Sequence, residues 1–435
     1  MPNPSLLRAL ARSFLNGEVG VDKIVERAAR TLGRPWRWLR PLAERYVKAV
    51  NGRTRPRHRD AERFLRADAG FQRALSKYGD EVSIEHWLSD PPQMQPVRVA
   101  ESWNVPVIAT PGDLAAWLRL DPADLDWFAD LKGLGYKANR APLRHYHYRL
   151  LPKQSGGVRL IEIPKSRLMA LQRQILAHLL DRIPAHPAAH GFVKGRSIKS
   201  FVAPHTGQRV VLRMDVQDFF PSFSGARIQA FFRTLGYPEP VADLLGGICT
   251  NATPRDTWIA DVPQQTRSLY AQHHLPQGAP TSPALANACM YRVDCRLAGL
   301  ANAAGARYTR YADDLAFSGG EPFERCVRRF ATHAAVILHE ENLAVHHRKT
   351  RIMRQGVRQH LAGLVANRHA NIIRSDFDRL KATLTNCIRM GPESQNRDGH
   401  SDYHAHLQGK VSFVEMINPA KGQRLRAILN QIRWL

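Results

Sequence analysis

Three aspartates stand out because the residues around them fix where they sit. Asp215 closes the apolar run Val210-Val211-Leu212-Arg213-Met214, the pattern of a buried strand. Asp313-Asp314 fall between Tyr308-Thr309-Arg310-Tyr311 and Leu315-Ala316-Phe317-Ser318, two strand-like runs joined by a tight turn. Neighbouring acids at a hairpin tip repel each other unless a cation lies beside them. Such a set suits hard divalent ions such as magnesium, which take oxygen ligands and complete their shell with water or phosphate. Two ions about 3.5–4 Å apart can activate an attacking hydroxyl and clamp a leaving phosphate. A solvated Asp-Asp turn is the plain alternative, and the pair alone does not decide between them.

The elements that must position these acids follow from about Tyr146 onward, where strand and helix patterns alternate. Tyr146-His147-Tyr148-Arg149-Leu150 and Val158-Arg159-Leu160-Ile161-Glu162-Ile163 flank Ser155-Gly156-Gly157 and predict a hairpin. Leu168 to Ile183 predicts a helix, as does the stretch after Pro283 with Leu285, Ala286 and Met290. Upstream, Leu6, Leu7, Leu10 and Phe14, then Leu39, Leu42, Tyr46 and Val47, recur at helical spacing. Ser89 to Pro106 is Pro-rich and predicts a linker. Thr110-Pro111-Gly112-Asp113 and Asp121-Pro122-Ala123-Asp124 each predict an N-cap, a Pro at the first helical position and an acid in the first turn.

Composition narrows the partners. In 435 residues, 63 Lys and Arg face 38 Asp and Glu, a formal charge of +25, which favours a polyanion. Nucleic acid leads and an anionic membrane surface comes second. Residues 1–66 hold 16 basic residues against 6 acids, with Arg53, Arg55, Arg57 and Arg59 crowded beside Pro56. That density suits a phosphate-contacting arm, although any one arginine can equally belong to a solvated helix face. No apolar run approaches the roughly 20 residues of a membrane span, and the Met-Pro-Asn-Pro start lacks a signal-peptide pattern, so the cytoplasm is the expected compartment. Cys249, Cys289, Cys295, Cys326 and Cys387 contain no Cys-x-x-Cys pair and read as reduced thiols. His273-His274 and His346-His347 lack zinc spacing and read as exposed or nucleic-acid-facing.

Tyr311-Ala312-Asp313-Asp314 with its flanking strands closely resembles the catalytic hairpin of reverse transcriptases. Met214-Asp215 through Phe220 resembles the family's first metal-binding strand, and Leu275-Pro276-Gln277-Gly278-Ala279-Pro280-Thr281-Ser282-Pro283 its loop beside the incoming nucleotide. Leu151-Pro152-Lys153 with Val158-Arg159-Leu160 resembles the fingers hairpin, so the four blocks stand in family order over roughly residues 145–365. The resemblance implies an α+β right-hand polymerase, with fingers, a palm built on an antiparallel sheet and a helical thumb, preceded by an N-terminal helical extension. It divides the chain into a basic extension and linker (1–105), fingers (106–209), palm with inserted fingers segments (210–365) and thumb (366–435). Asp215, Asp313 and Asp314 would be the catalytic residues and hold two magnesium ions. Lys153, Arg159 and Gln277 would contact the deoxynucleoside triphosphate. Phe220 would exclude a ribose 2′-hydroxyl, with Phe219 its rival, since a one-residue register change swaps the two rings. Asp218 would lie near the triphosphate without being a main ligand.

Within that family the likeness is to retron reverse transcriptases, carried by His190-Gly191-Phe192-Val193-Lys194-Gly195-Arg196-Ser197 and by the Leu-Pro-Gln-Gly-Ala-Pro loop. Two elements depart from the retron pattern: Phe201-Val202-Ala203-Pro204-His205 keeps only the histidine of Asn-Ala-x-x-His, and Leu361-Ala362-Gly363 keeps only the glycine of Val-Thr-Gly. The resemblance implies a dedicated structured non-coding RNA as template and primer, synthesis from an internal 2′-hydroxyl, and a branched RNA–DNA product (msDNA) that stays bound. A separate effector protein and a role in anti-phage defence are implied as well, with the basic carboxy-terminal region, Arg348-Lys349 onward, gripping an RNA stem. The alternatives are a group II intron-like or other defence-associated reverse transcriptase, and an inactive RNA-binding scaffold with a polymerase fold.

Overall fold

The computed structural model describes residues 3–18, 20–50, 56–88, 91–137, 141–152, 158–258 and 262–434. The chain separates into two units: Met1–Pro184 with Phe220–Cys289, and Ala185–Phe219 with Met290–Leu435.

The first unit begins with the helices Pro4–Leu15, Val21–Thr31, Leu39–Val50, His58–Ala67 and Ala69–Tyr78. Their apolar stripes meet in one core that includes Leu7, Leu10, Phe14, Ile24, Leu42, Tyr46, Leu65 and Phe71, as the 3.6-residue spacing requires. Not every arginine of this region is available to a ligand. Arg27 is buried and donates to the carbonyls of Ser13 (2.8 Å) and Glu18 (2.9 Å), and Arg57 reaches Gln229 Oε1 (2.5 Å) and Asp243 Oδ1 (3.4 Å). Arg53 and Arg55 lie outside the described residues. The described part of the linker is tied down, Gln95 N donating to Gly236 O (2.9 Å) and Val97 N to Thr234 O (3.2 Å). Ser89 and Asp90 fall outside the description.

Thr110 caps the helix Pro111–Leu118 as expected, and with Asp113 it completes a capping box, whereas Asp121 makes no side-chain cap on Pro122–Ala129. Strands β1 (Tyr146–Pro152) and β2 (Val158–Pro164) pair antiparallel, Pro152 opposite Val158. The next helix, Ser166–His178, is shorter than the sequence suggested, and a 3₁₀ turn at Leu180–Arg182 follows it.

The second unit is built on a five-stranded antiparallel sheet of β3 (Val210–Gln217), β4 (Arg307–Tyr311), β5 (Asp314–Gly319), β6 (Ala344–Val345) and β7 (Arg351–Arg354). The order is β4-β5-β3-β6, with β7 also paired to β3. β7 covers Val210–Arg213 of β3 and β6 covers Val216–Gln217, so the ladder on that side is interrupted opposite Met214 and Asp215. A small three-stranded sheet follows, β10 (Asn371–Ile372), β9 (Leu364–Val365) and β8 (His360–Leu361) in that order. Ala362-Gly363 make the two-residue turn between β8 and β9 with φ 44° and 87°. The helices Arg374–Met390, Tyr403–Ile417 and Pro419–Leu429 share one core with Phe201, Val211 and Ala316, through Leu384, Leu407, Val411, Val414 and Leu425.

Candidate active site

All three predicted aspartates lie in the second unit, and the sheet register brings them together. Asp215 is the cross-strand partner of Asp314, which in turn pairs with Tyr311 across the hairpin whose turn carries Asp313. Directly opposed residues share a face, with Cβ atoms about 4.5–5.5 Å apart. Val216 N donates to Asp313 O (3.0 Å), which fixes the turn beside the end of β3. Burial, together with the charges of Asp314 and Asp215, pushes the Asp313 carboxyl up to about 6. Burial also raises Asp314, against the pull of the adjacent Arg213 guanidinium.

Two cations answer this crowding. Arg213, two residues before Asp215 and so on the same face, donates from Nε (2.9 Å) and Nη2 (2.7 Å) to Asp314 Oδ1. Lys349 Nζ lies 3.0 Å from both carboxylate oxygens of Asp215. Lys349 is expected in an RNA-gripping carboxy-terminal region; it instead emerges from the loop between β6 and β7, facing the ladder break. His346 N bonds Asp215 O (2.8 Å) at the start of that loop.

The hairpin is braced from below. Arg310 and Asp294 are fully buried and bonded through Nε–Oδ1 (2.8 Å) and Nη2–Oδ2 (2.7 Å), with Tyr308 OH donating to Asp294 Oδ1 (2.7 Å). Removing one partner of such a pair strands a buried charge, at about 3–5 kcal/mol. Arg310 Nη1 also reaches Ala312 O (3.3 Å) in the turn, where Ala312 adopts φ 54°. Left-handed backbone costs a residue with a Cβ about 1–2 kcal/mol, so the turn needs such support. Further support comes from 188–191: Arg310 N donates to Ala188 O and His190 N to Arg310 O, both at 2.7 Å. A Cβ on Gly191 would stand 2.5 Å from Ala312 N and 3.1 Å from Tyr311 C, which only glycine avoids.

His205 explains why its element keeps a histidine. It is fully buried, Nδ1 lying 2.7 Å from Ser318 Oγ on β5 and Nε2 2.7 Å from Thr309 Oγ1 on β4. Thr309 Oγ1 already donates to Phe201 O (3.0 Å), so Nε2 carries the hydrogen and Nδ1 accepts from Ser318. Burial holds the ring neutral, its pKa lowered to about 3. This histidine, like the buried His274, is neither exposed nor nucleic-acid-facing.

The predicted nucleotide contacts belong to the first unit. Lys153 lies outside the described residues, as do Ser155, Gly156 and Gly157, where the sequence predicts the turn. Arg159 is exposed on β2, opposite Leu151. Gln277 is half-buried, and its carbonyl accepts from Glu162 N (2.9 Å). Phe220 is half-buried, whereas Phe219, at the end of its segment of the second unit, is 6% exposed and packs as core. Asp218 has φ 46°, a left-handed residue just after β3.

Among the described residues no group of three or more His, Cys, Asp or Glu side chains forms a ready metal cage. The donor chemistry nevertheless fits an open magnesium site: three oxygen donors with an excess of negative charge, partly answered by Lys349 and Arg213. Among the same residues no helix is long and apolar enough to cross a membrane, and the five cysteines are free thiols.

The sequence matches the family described as reverse transcriptase (RNA-dependent DNA polymerase) across residues 151–373. It is 40% identical over 330 residues to the retron Mx65 reverse transcriptase of Myxococcus xanthus, covering 74% of this chain and 72% of the relative. It is 34% identical over 406 residues to the retron Mx162 reverse transcriptase of the same organism, covering 84% and 79%. With the retron Ec86 reverse transcriptase of Escherichia coli it shares 28% identity over 292 residues, 66% of this chain and 82% of the relative. The chain therefore belongs to the reverse transcriptase family, the RNA-directed DNA polymerases, and is of the retron type. Enzymes of this family generally use divalent metal ions.

Proposed function

We propose that this reverse transcriptase copies a dedicated structured non-coding RNA into DNA, primed from an internal 2′-hydroxyl of that RNA, to give a branched RNA–DNA product that serves anti-phage defence with a separate effector protein. Residues 106–209 with the β1–β2 hairpin are assigned to the fingers, residues 210–365 with most of the five-stranded sheet to the palm with its inserted fingers segments, and residues 366–435 to the thumb. The observation that carries the reading is the register that sets Asp215 opposite Asp314 with Asp313 in the adjoining turn.

Asp215, Asp313 and Asp314 are assigned as the holders of two magnesium ions, which when bound lower the pKa of the attacking hydroxyl and neutralise the leaving pyrophosphate. Arg213 orients Asp314 through two donors to one oxygen. Lys349 balances the charge of Asp215. Arg159, Gln277 and Lys153 are assigned to the deoxynucleoside triphosphate. The half-burial of Phe220 beside the buried Phe219 supports Phe220 as the sugar gate.

The experiment is to supply purified protein with RNA transcribed from the DNA flanking its gene, magnesium and deoxynucleotides. DNA joined to that RNA is expected. Asp313→Asn with Asp314→Asn should abolish product while RNA binding, read by filter retention, survives; undiminished DNA yield would remove these aspartates from the chemistry.

A further inference from the structure

Glu162 and His274 are both buried to 1% or less at the side chain, and neither has a place in the roles assigned above. Glu162 sits on β2, and both oxygens of its carboxylate are hydrogen-bonded. Oε1 accepts from Asn251 Nδ2 (2.8 Å) and Thr253 Oγ1 (2.8 Å), and Oε2 from His274 Nε2 (2.9 Å). His274 Nδ1 lies 2.7 Å from Gln272 O. Both ring nitrogens thus face acceptors, so the ring donates from both and is the imidazolium. Burial alone would lower its pKa, but the Glu162 charge and hydrogen bonds leave it raised. Asn251 returns the contact through the backbone, exchanging two 3.0 Å bonds with His274.

The same residue, Glu162, also grips the loop just beyond His274. Its N–H donates to Gln277 O (2.9 Å), and its carbonyl lies 2.7 Å from where a Cβ on Gly278 would stand. The segment 274–278 is therefore pinned to β2 at its start by a side-chain ion pair and at its end by backbone contact. A buried ion pair is a weak source of net stability, because desolvation offsets most of the attraction, and it acts instead by fixing geometry when every lone pair is satisfied.

We infer that Glu162 and His274 are positioning residues for nucleotide addition, setting where the Gln277-Gly278 loop presents Gln277 to the incoming deoxynucleotide. This rests on the assignment of Gln277 to the nucleotide. Steady-state extension of oligo(dT) on poly(rA) with dTTP tests it. Glu162→Gln and His274→Gln should each raise KM for dTTP about tenfold or more while kcat and the KM for primer–template change by less than about twofold, the pattern of lost substrate positioning. The double variant, a neutral amide pair, should recover part of the loss. Unchanged KM for dTTP in folded variants overturns the inference, and so does a loss shared equally with primer–template. If the charge variants fail to fold, Gly278→Ala decides, since it shifts the same loop and leaves the buried charges intact: a selective KM rise supports the inference, and an unchanged KM defeats it. Gln277→Ala separates the two claims. If it shifts KM and the pair's variants do not, the positioning role alone fails; if Gln277→Ala has no effect, the nucleotide assignment fails.

Discussion

Phe219 is buried and the adjacent Phe220 half-buried, and a single truncation of each distinguishes their duties. Phe220→Ala should admit ribonucleotides, read as incorporation of ATP against dATP, with little change in stability. Phe219→Ala should cost about 3–5 kcal/mol in urea unfolding, as expected for an emptied core site, and leave sugar selectivity alone. Gly191 offers a second test, because its backbone abuts the turn that carries Asp313. Gly191→Ala must move that turn or itself, and displacements near 1 Å cost about 10²-fold in rate. Single-turnover extension should fall by that order while RNA binding holds. At this scale the sequence was legible where neighbours along the chain gave a pattern. The run ending at Asp215 and the two strands around Asp313-Asp314 announced a hairpin opposite a strand end. Lys349, Asp294 and Glu162 were invisible in these roles, because their partners Asp215, Arg310 and His274 lie 134, 16 and 112 positions away and nothing local marks the pairing.

The sheet as an element depends on His205, which joins β4 to β5 from beneath as a neutral ring. Its folded pKa of about 3 lies below the ordinary value of 6.5, so on acidification the unfolded chain takes up the proton first. Stability from this group is therefore complete above about pH 6.5 and declines by about 1.4 kcal/mol per pH unit as pH falls toward 3. Between pH 7 and pH 5 in urea unfolding, the dependence of stability on pH in His205→Asn should differ from the parent's by about this slope, with stability at pH 7 lowered by about 1–3 kcal/mol. The histidine could be picked out of Phe201-Val202-Ala203-Pro204-His205, but its reason could not, since Thr309 and Ser318 come more than a hundred residues later. Helix starts fared unevenly for a related cause. Thr110 reaches its own third helical residue as composition suggested, whereas Asp121 does not.

Across the whole molecule the charge of +25 is unevenly committed. Arg27, Arg45 and Arg57 are occupied by internal partners, while Arg59, Arg63 and Arg66 stand exposed at i, i+4 and i+7 on the helix His58–Ala67, Arg63 carrying a 3.7 Å surface pair with Asp60. That spacing lines them on one face, about 6 Å and 10 Å apart along the axis. If this face meets RNA phosphates, replacing all three by Ala should reduce the slope of log K against log salt by roughly 2, at about 0.7–0.9 per contact. Activity on a short primer–template should be unchanged. The basic amino-terminal composition was plain from the sequence, but which arginines are spoken for was not, because that depends on how the helices pack: Arg45 meets Asp68 two helices on, and Arg57 meets Gln229 and Asp243 nearly two hundred residues downstream.

The gap in the ladder beside β3 has a cost and a use. Where β7 stops and β6 has not begun, Met214 and Asp215 have no strand partner on that side. A merged, uninterrupted edge strand would be more regular, and it would leave no excursion of chain from which an ammonium could arrive at Asp215. Loop length between Val345 and Arg351 is thus a tuning parameter for the electrostatics around Asp215, and natural or engineered indels there should register in turnover before they register in melting temperature.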